Sequence, residues 1–152
     1  MRVLSPAALE EAVYELLKSA CVTLPLGVRQ ALFNAQSQEE NTERAKTVLN
    51  LICENAKLAE AEKLPVCQDT GSTVIFLEWG AQVSLQNGTI QEACDKGVRR
   101  AVMEAYLRRS IVKDPLDRIN TNDNTPSLVT ILPAEGGKIT VNALPHGAGG
   151  GD

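Results

Sequence analysis

The sequence predicts an α+β protein in which N-terminal helices pack on a mixed or antiparallel sheet, with one further long helix. Three observations lead there. Apolar residues recur at helical spacing through the first sixty positions, a β-branched and nearly continuous apolar run follows at 72–79, and two more strand-like segments come after another helical stretch. Helices come first, and the strands are then interrupted by a single helix. That order differs from the regular alternation of a doubly wound sheet. At 152 residues the chain has the length of one domain, and its glycine-rich segment 145–152 is expected to be flexible.

Each element has its own signal. Ser5 followed by Pro6 reads as an N-cap with proline at the first helical position. Leu9, Ala12, Val13, Leu16, Leu17 and Ala20 then carry a helix to about Ser19. Leu24-Pro25-Leu26-Gly27 breaks it, and a short helix over 28–35 follows. Ala45, Val48, Leu49, Ile52, Ala56 and Ala59 mark a longer helix over 41–61, whose other face carries Glu43, Arg44, Lys46, Glu54 and Lys57 toward solvent. Leu64-Pro65-Val66 ends the helical region, 72–79 reads as a buried strand, and 83–85 is placed as its partner. A third long helix is expected over 89–109, with Gly97 in its middle. Glycine there costs about 1 kcal/mol relative to alanine, which a close helix contact would offset. Residues 127–132 and 138–144 read as two strands joined by Glu135-Gly136-Gly137, a hairpin signal.

Composition narrows the function. Fifteen Lys and Arg against nineteen Asp and Glu give a formal charge of −4 and a pI near 5.1, which disfavours nucleic-acid binding through phosphate contacts. No apolar run has the length of a membrane span. The N-terminus lacks the apolar stretch of a signal peptide, so a cytoplasmic protein is expected. The four cysteines, Cys21, Cys53, Cys67 and Cys94, contain no CxxC pair. Cys53 and Cys94 fall on apolar helical stripes, and with Cys21 they read as small buried residues.

Three polar stretches sit at element ends. Pro65-Val66-Cys67-Gln68-Asp69-Thr70-Gly71 packs a thiolate donor, an amide, a carboxylate and a hydroxyl ahead of the most apolar strand. Such a turn can offer a metal ligand and an acid/base group to one small volume, or it can be a connection in which Asp69 caps backbone amides. Tyr106-Leu107-Arg108-Arg109-Ser110 ends the third helix. Its arginines either complement the helix dipole or clamp a carboxylate. Pro145-His146-Gly147-Ala148-Gly149-Gly150-Gly151-Asp152 can bring backbone N–H groups close to an anion, or it is a flexible tail. His146 is the single histidine.

The run 64–71, with Gly97-Val98-Arg99-Arg100, Tyr106-Leu107-Arg108-Arg109-Ser110, Asp114-Pro115-Leu116, residues 120–126 and Lys138-Ile139-Thr140-Val141, resembles the α-type region of the iron–sulfur hydro-lyases. These are the class I fumarate hydratases and L(+)-tartrate dehydratases, and the resemblance runs from about residue 5 onward. It implies that Cys67 is one of three cysteines holding a [4Fe–4S] cluster, that Asp69 takes part in proton transfer, and that Gln68 hydrogen-bonds substrate. It implies a carboxylate-binding role for Arg108, with Arg109 as the fallback, and backbone contacts from Gly147 and Gly149. Where the family pattern is close to Pro-Lys-Gly-Gly-Gly-Ser, this chain has His146 and Ala148. The family's other two cluster cysteines do not match Cys21, Cys53 or Cys94. The resemblance therefore implies the first half or so of an α-type subunit, inactive and without a stable cluster by itself. It also implies, as partners, the remaining α portion, a β-type subunit or domain, a small dicarboxylate, and a tendency to homo-oligomerise. A non-catalytic paralogue that binds an anion or a partner is the alternative.

Overall fold

The computed structural model describes residues 1–38 and 42–147. Strand β1 (Arg2–Leu4) leads into helix α1 (Pro6–Val22), whose start is set by Ser5: its hydroxyl accepts the Ala8 N–H. Helix α2 (Leu26–Gln38) and helix α3 (Glu43–Glu62) follow. Thr42 caps α3 by accepting the Ala45 N–H. Lys63 closes it in the left-handed conformation (φ 57°), with Leu64 N–H donating to Ala59 O. Strands β2 (Ser72–Gly80) and β3 (Val83–Leu85) precede helix α4 (Ile90–Glu104), and strands β4 (Leu128–Ala134) and β5 (Ile139–His146) follow it. A reciprocal capping box between Thr89 and Glu92 fixes the start of α4.

The α+β expectation holds, and the sheet is mixed. β2 lies at its centre, parallel to β4 on one edge and antiparallel to β5 on the other. Thr73, Ile75 and Leu77 point from β2 to the helical layer and are buried, while Phe76 and Glu78 on the opposite face are exposed. Leu9, Val13 and Leu17 of α1 meet Ala93, Cys94, Val98 and Ala101 of α4 against that inner face. Each large aliphatic side chain so buried contributes about 1.5–3 kcal/mol. Gly97 is where the two helices touch: a Cβ there would lie 2.6 Å from Glu10 O. Arg100 spans the same contact, bonding Glu11 and lying 3.8 Å from the centroid of the Tyr14 ring.

Three expectations are corrected. The strands flanking Glu135-Gly136-Gly137 are not a hairpin, because β2 lies between them. The connection crosses over the end of β2, where Gly80, Ala81 and Gln82 donate to Lys138, Ala134 and Gly136 carbonyls. β3 does not pair with β2 but runs parallel to β1, with Leu4 opposite Leu85. Finally, α4 stops at Glu104 rather than near Arg109. Tyr106 takes φ 54°, and Leu107 N–H donates to Val102 O, the bond pattern that ends a helix with a left-handed residue. No described helix is long and apolar enough to cross a membrane.

Candidate active site

The turn between α3 and β2 is held from both sides. Val66 N–H donates to Cys21 O at the end of α1 (2.9 Å), and Asn55 of α3 donates to Val66 O (2.9 Å). This leaves the next residue, Cys67, exposed, with the Asp69 N–H directed at its Sγ (3.4 Å). Cys67, Asp69 and Thr70 line one side of a cleft of about 190 Å³. Cys21 and Leu24 line another side, and Pro145 of β5 also borders it. Burial pushes the Cys21 thiol up to about 11 and the Cys94 thiol up to about 12. Cys53 is fully buried.

The far end of β5 crosses this turn at very short range. Gly71 has φ +55°, and a Cβ on it would fall 1.9 Å from His146 O, so only glycine fits. Gly147 meets Asp69 directly: a Cβ there would lie 2.8 Å from Asp69 Oδ2. Thus the Asp69 carboxylate and the first glycine of the terminal segment come together on the turn that carries Cys67, although 78 positions separate Gly147 from Asp69. Gly149 lies outside the described residues. Gln68 is exposed, and its carbonyl accepts the Thr70 N–H (3.2 Å).

Arg108 is attached to the turn through its backbone rather than by lying at a helix end. Its carbonyl accepts from Thr70 Oγ1 (2.6 Å) and from Asn124 Nδ2 (2.8 Å), and Gly71 N–H donates to Ser110 Oγ (3.1 Å). The Arg108 side chain is exposed and does not border the 190 Å³ cleft. Arg109 Nη2 is directed at Met103 Sδ (3.2 Å). The sequence reading missed Thr70, Ser110 and Asn124 as the ties between the two segments. Their signal was the hydroxyl in the 67–71 turn and the amide-rich run 120–126.

Among the described residues no three His, Cys, Asp or Glu side chains converge as a metal site. The exposed Cys67 thiol fits one ligand of an iron–sulfur cluster, and the described residues do not supply a full ligand set. A second cavity of about 370 Å³, bordered by Glu15, Lys18, Glu62 and Tyr106, contains none of these groups.

An α+β fold thus presents Cys67 and Asp69 on one turn, with an arginine-bearing segment tied to that turn. A model of the family described as fumarate hydratase (fumerase) matches residues 10–151, and the chain belongs to that family. It is 35% identical over 147 residues to a protein of Methanocaldococcus jannaschii named "Putative L(+)-tartrate dehydratase subunit alpha", covering 93% of this chain and 51% of the relative. It is 33% identical to a "Putative fumarate hydratase class I" of Geobacillus stearothermophilus, covering 76% of this chain and 22% of the relative. It is also 30% identical to the aerobic class I fumarate hydratase of Escherichia coli, covering 89% of this chain and 28% of the relative. The chain therefore spans about half the length of the first of these relatives and under a third of the other two.

Proposed function

We propose that this chain is a component of an iron–sulfur hydro-lyase that adds or removes water on a small dicarboxylic acid. The single observation that carries the reading is an exposed Cys67 on the same turn and cleft as Asp69, whose carboxylate meets Gly147, within a chain of the fumarate hydratase family. Cys67 would hold one iron of a [4Fe–4S] cluster, with the other two cysteine ligands supplied from outside the described residues. When bound, the cluster supplies a Lewis-acidic iron for the departing or entering hydroxyl oxygen. Asp69 would move a proton at the carbon adjacent to the one that bears that oxygen, and its place on the same cleft as Cys67 supports the role. Arg108 would bind a substrate carboxylate with its planar fork of N–H donors, and Gln68 would donate its amide. Gly147 has no side chain between its backbone and the Asp69 carboxylate, which lets the two pack together; Gly147 and Gly149 would add backbone contacts to substrate.

The remaining α portion and a β-type subunit or domain would complete the site. This rests on the missing ligands and on the name of the M. jannaschii relative as an alpha subunit. The uncovered sheet face, with Phe76, Leu128, Leu132 and Leu144 exposed, supports self-association or cover by such a partner.

The test has two arms. Anaerobic reconstitution of this chain alone, followed by iron and sulfide analysis and a fumarate hydration assay, should give neither stoichiometric cluster nor turnover; both together would overturn the ligand argument. In the assembled enzyme, Asp69→Asn should abolish turnover and leave cluster absorbance intact. Near-normal kcat in that variant would remove Asp69 from proton transfer.

A further inference from the structure

Among the described residues, the largest fully buried side chains are aliphatic or thiol except for Asn124, at 2% exposure. A buried amide that bonds nothing is costly, so the partners of this one define its use. Its Oδ1 accepts from Ser110 N–H (2.8 Å) and Ile111 N–H (3.2 Å), and its Nδ2 donates to Arg108 O (2.8 Å). One side chain therefore engages backbone groups of three residues between 108 and 111. The same Nδ2 lies 3.5 Å from Thr70 Oγ1, which itself donates to Arg108 O (2.6 Å). Asn124 is in turn fixed by its own N–H donating to Thr121 Oγ1 (3.1 Å) and by a left-handed backbone (φ 55°). No aliphatic side chain could satisfy these three backbone groups: without the amide the Ser110 and Ile111 N–H groups lose this acceptor, and Arg108 O keeps only Thr70 Oγ1.

We infer that Asn124 is a positioning residue that sets where Arg108 stands relative to the Asp69 turn, with Thr70 as the link between them. It touches neither thiol nor carboxylate and acts through the Arg108 backbone. The consequence for ligand binding rests on the proposed carboxylate role of Arg108; the coupling of the two segments does not. A dicarboxylate needs its arginine and its acid/base group at a fixed separation, and this network joins the two segments that carry them.

The experiment uses the ¹⁵N-labelled chain, with amide hydrogen exchange as one readout and titration with fumarate as the other. Asn124→Ala should speed exchange at Ser110, Ile111 and Gly71 together by about tenfold or more, and leave Ile75, Leu77 and Val98 protected. Thr70→Val should release the link more gently and weaken fumarate binding by about tenfold, while Thr70→Ser, which keeps the hydroxyl, should restore it. If Asn124→Ala does not fold, the Val and Ser variants of Thr70 decide the matter alone. Unchanged exchange at the three amides, or wild-type fumarate affinity in Thr70→Val, would overturn the inference. If the wild-type chain does not bind fumarate by itself, amide exchange in the Asn124 and Thr70 variants decides for or against the coupling.

Discussion

Replacing Gly71 with alanine tests whether the turn and the end of β5 are locked together. The added Cβ would sit 1.9 Å from His146 O and 2.6 Å from His146 C. Both are backbone atoms, so no side-chain rotation relieves the contact, and β5 must retreat by about 1.5 Å to reach ordinary van der Waals distance. Overpacking of this kind costs about 1–3 kcal/mol. Alanine at a positive φ adds about 1–2 kcal/mol, and the lower entropy of the unfolded alanine chain returns about 0.4–1 kcal/mol. The net loss is roughly 1–5 kcal/mol, which lowers Tm by about 2–20 °C for a chain of this size. Urea unfolding followed by the fluorescence of the single tryptophan, Trp79, measures it directly. Gly27→Ala is the control: nothing lies within 4 Å of its added Cβ, and in the first turn of α2 it should be neutral or stabilising by up to about 1 kcal/mol. A Gly71→Ala variant within about 0.5 kcal/mol of wild type would refute the close crossing.

Further predictions follow from burial and charge. Iodoacetamide at pH 8 should label Cys67 in the native protein and spare Cys21, Cys53 and Cys94, because burial removes access and holds the Cys21 and Cys94 thiols at about 11 and about 12; peptide mass mapping that finds Cys94 labelled as fast as Cys67 would contradict this. For Asp123, burial pushes the carboxyl up, but hydrogen bonds from Arg99 and Thr125 outweigh it and hold the group below the usual carboxylate range. A depressed carboxyl contributes stability above its unfolded value, near pH 4, and loses it as pH falls through the folded value. Asp123→Asn should therefore be less stable than wild type at pH 7 and converge with it as pH falls through the folded value of Asp123, in paired denaturant titrations. Gly97→Ala should destabilise by about 1–2 kcal/mol, the clash with Glu10 O and Val13 exceeding the gain in helix propensity; a more stable variant would mean that α1 and α4 are not in contact there.

Local signals carried most of the elements. Ser5-Pro6, the apolar stripe of α1, and Gly97 at its crossing with α4 were legible because each is a short-range or periodic property. The continuous apolar character of 72–79 also marked β2 as buried, and its central place in the sheet is the reason. What the sequence concealed was pairing. Glu135-Gly136-Gly137 has turn chemistry, but the same residues serve to carry the chain across the end of an intervening strand, and only the buried β2 decides between those uses. β1 is three residues long, too short for an alternation signal, so β3 had no visible partner except β2. The end of α4 was misplaced because Tyr106 adopts a left-handed conformation more often taken by glycine or asparagine. At the site, the proximity of Cys67 to Asp69 follows from two positions of spacing. The approach of Gly147 and the ties through Thr70 and Asn124 are long-range contacts that no local pattern encodes.

The proposed function stands or falls on iron ligation by the Cys67 sulfur. The most direct measurement replaces Cys67 with serine, reconstitutes the variant anaerobically with the region that supplies the remaining cysteines, and counts iron and sulfide per site. The account predicts that the variant loses the cluster while Cys21→Ser keeps it. A Cys67→Ser protein that retains a full complement of iron and sulfide would contradict it.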